Sequence, residues 1–136
     1  MSTELTIESR AEAIDDARRW VSDQLQIAGV GERDLWAVEL ALTEALSNVI
    51  RHAYGGEESR EILLASSFTD GRFELRIVHW GEPFETAHYV PPDLDTAPLG
   101  GYGLYLIEQL MDEVERRDAP DGATEITLVK SRWEDR

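Results

Sequence analysis

The sequence predicts an α+β domain in two layers, a mostly antiparallel sheet covered on one face by three helices. Three observations carry this. Five short segments have the composition and alternation of strands, three others repeat apolar residues at helical spacing, and the order is βααββαββ. Tight turns join consecutive strands at Asp70-Gly71 and at Pro120-Asp121-Gly122.

Taken in order, Glu4 to Ser9 alternates polar and apolar and predicts the first strand. Ser9 reads as the N-cap of the first helix, with Glu12 as its capping-box partner. Ala13, Ile14, Ala17, Trp20, Val21 and Leu25 form one face of that helix, and Gly29 and Gly31 end it. A second helix starts at Glu32 or Asp34 and runs to Ala53, with Leu35, Val38, Leu42, Leu46, Val49 and Ala53 as its apolar stripe. Tyr54-Gly55-Gly56 stops it. Strands follow at Glu61 to Phe68 and Arg72 to Val78. The stretch from Gly81 to Gly101 holds four of the five prolines and predicts a long loop, of the kind usually functional in a compact domain. A third helix starts near Gly103, and two last strands occupy Glu113 to Arg117 and Thr124 to Lys130.

The length of 136 residues suits a single domain covering 1–136. No apolar stretch approaches the roughly 20 residues that span a bilayer, and Met1 to Ile7 lacks the pattern of a signal peptide. The chain has no cysteine, which excludes disulfides, thiolate nucleophiles and Cys-ligated zinc and fits a reducing cytoplasm. The net charge of −15 argues against direct binding to nucleic acid or anionic membrane, while leaving room for a nucleotide in a locally positive pocket.

Glu44 and Asn48 lie four apart on the second helix and project as neighbours. A helical wheel places Ala37, Ala41 and Arg51 on the same side, opposite the apolar stripe, with His52 near the edge. A carboxylate and an amide oxygen suit a hard cation such as Mg²⁺, and the carboxylate can also take a proton from a hydroxyl nucleophile. From spacing alone, an ordinary solvated face is the simpler account. Gly100-Gly101-Tyr102-Gly103-Leu104, where a loop enters a helix, suits a phosphate cradle or a plain structural turn. Gly81, after Val78-His79-Trp80, and Gly122-Ala123-Thr124 are individually no more than turn signals.

Together and in order, Glu44-Ala45-Leu46-Ser47-Asn48-Val49-Ile50-Arg51-His52-Ala53-Tyr54, Gly81-Glu82-Pro83-Phe84, Gly101-Tyr102-Gly103-Leu104 and Gly122 to Leu128 resemble the GHKL superfamily of ATPases and kinases. The resemblance is nearest to its anti-sigma-factor serine/threonine kinase branch and covers nearly the whole chain. It implies a Bergerat-type fold binding ATP and Mg²⁺. It implies that Glu44 is the general base and that Asn48 holds Mg²⁺. It further implies nucleotide contacts from Asn48, His52, His79, Gly81, Phe84, Gly101, Gly103, Leu104 and Thr124. The implied partner is a small anti-anti-sigma protein of the STAS type, with a sigma factor and a homodimer also typical of the branch. This chain departs from the pattern at His79, where the family has an Asp that binds the adenine amino group. That departure keeps a second reading open, a non-catalytic partner-binding module with a degenerate ATP site. A conformational ATP hydrolase ranks third, because such relatives normally carry further domains.

Overall fold

The computed structural model describes residues 2–80 and 103–134, with side chains in the last helix described from residue 105. Strand β1 spans Ser2–Glu8, helix α1 Ala11–Ile27, helix α2 Glu32–Asn48, β2 Glu61–Thr69, β3 Arg72–His79, α3 Gly103–Leu110, β4 Glu113–Asp118 and β5 Thr124–Lys130. The five strands form one sheet in the order β1-β2-β3-β5-β4, antiparallel at every pairing. Among the described residues no helix is long and apolar enough to cross a membrane.

The alternation of each strand decides which side is covered. Ile62, Leu64, Phe73, Leu75, Ile77 and Leu128 point to the helical layer and are fully buried or nearly so. Val21 and Leu25 of α1 and Val38, Leu42 and Leu46 of α2 close over them. Each such side chain contributes about 1.5–3 kcal/mol through burial. Helix α2 touches both α1 and α3, so its apolar arc is wide. Ala41, expected on the polar side, is therefore completely buried. Leu35, expected in the stripe, is only partly buried.

The turns form as their sequences predict. Asp70 and Gly71 have φ of 52° and 78°, the paired positive values of a two-residue hairpin turn whose twist matches the flanking strands. At the second turn, the Asp121 carboxylate accepts the Ala123 N–H at 3.0 Å, and Gly122 takes φ of 89°.

The start of α1 corrects one expectation. Arg10, not Ser9, is the N-cap residue, and no side chain caps the helix. The buried Ser9 hydroxyl instead donates to the Glu57 carbonyl and accepts the Arg60 N–H at 3.0 Å. Ser9 thus ties the end of β1 to the approach to β2.

The end of α2 corrects another. Residues Val49–Ala53 wind as one π-turn in place of a continued α-helix. The Tyr54 N–H reaches back to the Val49 carbonyl at 3.0 Å, and the Gly56 N–H closes on the Ile50 carbonyl at 2.8 Å. The buried Tyr54 then acts as a clamp. Its hydroxyl donates to the Glu61 carbonyl at 2.5 Å and accepts the Trp80 N–H at 3.0 Å. One phenol therefore joins the end of the α2 segment to the start of β2 and the end of β3.

Candidate functional site

Three polar positions of the sheet lie side by side. His79 of β3 pairs directly with Thr124 of β5, and Thr124 pairs directly with Asp118 of β4. Residues opposed in an antiparallel ladder face the same way, so these three form one polar row, buried at His79 and Thr124 and exposed at Asp118 on the edge strand. The next row, Ile77, Ile126 and Arg116, is apolar except at the edge. The third, Leu75, Leu128 and Val114, is entirely apolar.

Above these rows lies a cavity of about 200 Å³. Ala45, Asn48, Val49 and Ala53 line it from the α2 side, Ile107 and Glu108 from α3, and His79, Val114, Glu115, Arg116, Thr124, Ile126 and Leu128 from the sheet. This is smaller than the roughly 300–1,000 Å³ of sites that engulf a drug-sized ligand. It has room for a flat ring system rather than for an entire nucleotide. Its lining is mostly apolar, with a few polar groups, the usual make-up of a small-molecule site.

His79 has no solvent exposure, and neither ring nitrogen has a hydrogen-bond partner among the described residues. The Tyr54 ring meets it edge-on at 5.9 Å, but the Tyr54 hydroxyl is committed to Glu61 and Trp80. Burial, reinforced by the nearby Arg116 guanidinium and opposed by Asp118, pushes the His79 pKa below its ordinary value. The ring is therefore neutral at physiological pH, with one N–H donor and one bare acceptor nitrogen. Such a buried, unsatisfied group is the kind that a bound molecule completes.

The other polar groups of the row hold one another. The Thr124 hydroxyl donates to Asp118 Oδ1 at 3.2 Å, and Arg116 Nη2 approaches the same oxygen at 3.3 Å. Asn48 is half-buried, and its Oδ1 lies 3.5 Å from Arg51 Nη2.

The structure thus brings Asn48, His79 and Thr124 to one cavity and leaves other expected residues outside it. Glu44 is half-buried one turn before Asn48 and does not line the cavity. His52 is exposed on the π-turn and is also absent from the lining. The π-turn rotates the residues after Asn48 relative to an α-helix, and Ala53 rather than His52 lines the cavity. Gly103 begins α3, and Leu104 follows it. Gly81, Phe84 and Gly101 lie outside the described residues. Arg116 and Asp118 were not anticipated. The available signal was the two-residue period of β4, which puts Val114, Arg116 and Asp118 on one side of the strand, the first two half-buried and Asp118 exposed at its end.

No group of three or more His, Cys, Asp or Glu among the described residues is arranged to hold a metal by itself. A single amide oxygen at Asn48 still suits Mg²⁺, which takes few protein ligands and completes its octahedron with water and phosphate oxygens.

Comparison with known proteins adds to this geometry. A profile of the family described as histidine kinase-like ATPase domain matches residues 7–130. The serine-protein kinase RsbW of Oceanobacillus iheyensis is 31% identical, over 82% of this chain and 76% of that protein. A structure of the RsbU and RsbW domains of Rv1364c from Mycobacterium tuberculosis superposes with a TM-score of 0.69 at 20% identity, covering 96% of this chain and 32% of that one. A chain of the SiaB–SiaC complex from Pseudomonas aeruginosa also gives a TM-score of 0.69, at 16% identity, covering 92% of this chain and 88% of its own length. At such identities the two structures bear on the fold alone.

Proposed function

Since the chain belongs to the histidine kinase-like ATPase family, we propose that it is an ATP- and Mg²⁺-dependent protein serine/threonine kinase of the anti-sigma-factor type, acting in the cytoplasm on a small STAS-type anti-anti-sigma protein. The observation that carries this reading is the cavity between α2 and the sheet, which Asn48, His79 and Thr124 line together.

In this reading the base of ATP enters the cavity, where the apolar walls exclude water and the polar row offers hydrogen bonds. Asn48 gives an oxygen ligand to Mg²⁺, which neutralises phosphate charge when bound. Gly103, at the start of α3, lies where orphan backbone N–H groups attract phosphate oxygens. Glu44, one turn before Asn48 and outside the cavity lining, accepts the proton of the attacking serine or threonine hydroxyl in this reading. The hydroxyl oxygen forms a bond to the γ-phosphorus, the bond to the bridging oxygen breaks, and ADP leaves. Phosphoryl transfer depends chiefly on positioning and charge neutralisation, so this small set of groups suffices.

The charge of the chain suits release of the product. A phosphorylated partner gains about 1.5–2 negative charges, and this chain carries a net −15. Like-charge repulsion then favours separation, freeing the kinase for a sigma factor.

The test is incubation of the purified chain with Mg-ATP and its cognate STAS-type protein, followed by mass spectrometry of the partner. The expected result is a single added phosphate on a serine or threonine. Nucleotide binding without any transfer would reject the kinase and favour the second reading, a partner-binding module with a degenerate site. That second reading is favoured by one observation, the imidazole of His79 in a position where the family pattern has a carboxylate.

A further inference from the structure

His79 does more than replace one acceptor by another, because its neutral ring brings both a donor and an acceptor to the cavity. A carboxylate in this position presents lone pairs only. It meets the amino group at position 6 of adenine and repels the carbonyl oxygen at position 6 of guanine. A neutral imidazole has one N–H and one bare nitrogen, and its tautomer follows whatever the neighbouring atom requires. It can accept from an amino group or donate to a carbonyl.

Nothing among the described residues fixes that choice. Neither nitrogen of His79 is hydrogen-bonded there, and the closest aromatic, Tyr54, presents a ring whose hydroxyl is engaged elsewhere. The carboxylate of the row does not restore an acceptor-only site. Asp118 Oδ1 already meets the Thr124 hydroxyl at 3.2 Å and the Arg116 guanidinium at 3.3 Å. Arg116 lines the same cavity as a pure donor, and Glu108 and Glu115 line it as carboxylates, so donors and acceptors both face it and neither kind alone sets the choice of purine.

We propose that the cavity selects a purine without distinguishing a 6-amino from a 6-oxo substituent, so that the chain takes guanine nucleotides alongside adenine nucleotides. The inference rests on the reading that the cavity receives the nucleotide base. It makes His79 a specificity-determining residue, and it makes cellular GTP a competitor of ATP or a second phosphoryl donor.

The experiment is a calorimetric titration of the full chain with Mg-ATP and, separately, with Mg-GTP. The two dissociation constants are expected to agree within about tenfold, a difference of roughly one hydrogen bond. His79→Asp is expected to restore a preference for ATP of at least about a hundredfold, because a buried acceptor facing a carbonyl oxygen leaves both unpaired. His79→Asn, whose amide also carries both donor and acceptor, is expected to keep the two nucleotides within about tenfold. Should the buried Asp prevent folding, the wild-type ratio and the Asn variant decide. Wild-type binding of ATP with GTP more than about a hundredfold weaker would overturn the inference and leave the ATP site standing. Binding of neither nucleotide would overturn both.

Discussion

Replacing Tyr54 by Phe removes one oxygen atom and tests how the cavity is held open. The ring stays, and with it the burial, the edge contact to His79 and the Arg60 guanidinium stacked 4.6 Å from the ring centre. Two hydrogen bonds are lost, to the Glu61 carbonyl at 2.5 Å and from the Trp80 N–H at 3.0 Å. Each is worth about 0.5–1.5 kcal/mol, and a backbone group left dry costs about 1–3 kcal/mol. Glu61 and Trp80 are both exposed residues, Trp80 at 38%, so water can take over part of the loss. The expected destabilisation is therefore about 1.5–3 kcal/mol. Urea unfolding followed by circular dichroism measures it, with an unchanged m-value expected because the surface exposed on unfolding is the same. The melting temperature should drop by roughly 4–12 °C. Because the clamp holds the segments that follow Asn48 and His79, Mg-ATP affinity should weaken too, but by less than about tenfold, since no nucleotide contact is removed. A loss of stability below about 0.5 kcal/mol at constant m would refute the clamp.

Glu44→Ala should slow phosphoryl transfer by about 10²–10⁴ while leaving Mg-ATP affinity nearly unchanged, as single-turnover kinetics and calorimetry would show; equal loss of binding would contradict its role as a base. Ser9→Ala should destabilise by about 1–3 kcal/mol in urea, because it removes the buried hydroxyl that serves both the Glu57 carbonyl and the Arg60 N–H, groups on residues that water reaches in part. A loss under about 1 kcal/mol would instead suit a simple helix cap. The depressed pKa of His79 fixes a sign for pH dependence. The unfolded chain binds a proton near pH 6.5, while the folded chain resists it, so the stability from neutral His79 is full above that pH and declines as pH falls below it. The unfolding free energy should decrease from pH 7 to pH 5, by at most about 1.4 kcal/mol per pH unit from this one group, and His79→Asn should flatten that part of the profile. An unchanged profile in the variant would contradict the buried neutral ring.

Much of the fold was legible because it is written in local periods. The helical repeats of α1 and α2 and the turns at Asp70-Gly71 and Asp121-Gly122 depend on residues a few positions apart, and the structure bears them out. What escaped was non-local. Ser9 followed by Glu12 satisfies a capping pattern, yet the hydroxyl has partners 48 and 51 residues away. Ala41 falls opposite the stripe on a wheel, but α2 lies between two helices and buries that side as well. The Val49–Ala53 segment carries no mark of its π-winding, so the displacement of His52 was invisible. The site divides in the same way. Asn48, His79 and Thr124 were readable from ordered motifs, and all three line the cavity. The row His79, Thr124 and Asp118 exists only because β5 inserts between β3 and β4, a pairing that no local pattern announces. The charged run Glu113 to Arg117 reads as a strand, but only its register with β5 shows that Val114 and Arg116 are the residues facing the helices.

The central claim is that Asn48 couples magnesium to a nucleotide whose base occupies the cavity beside His79. Titration of Mg-ATP into the wild-type chain and into Asn48→Ala, each with and without Mg²⁺, tests it most directly. Wild type should bind one nucleotide with an affinity that depends on Mg²⁺, and Asn48→Ala should bind at least about a hundredfold more weakly, a loss of about 2.8 kcal/mol. Equal, magnesium-independent affinity in the two proteins would contradict the assignment.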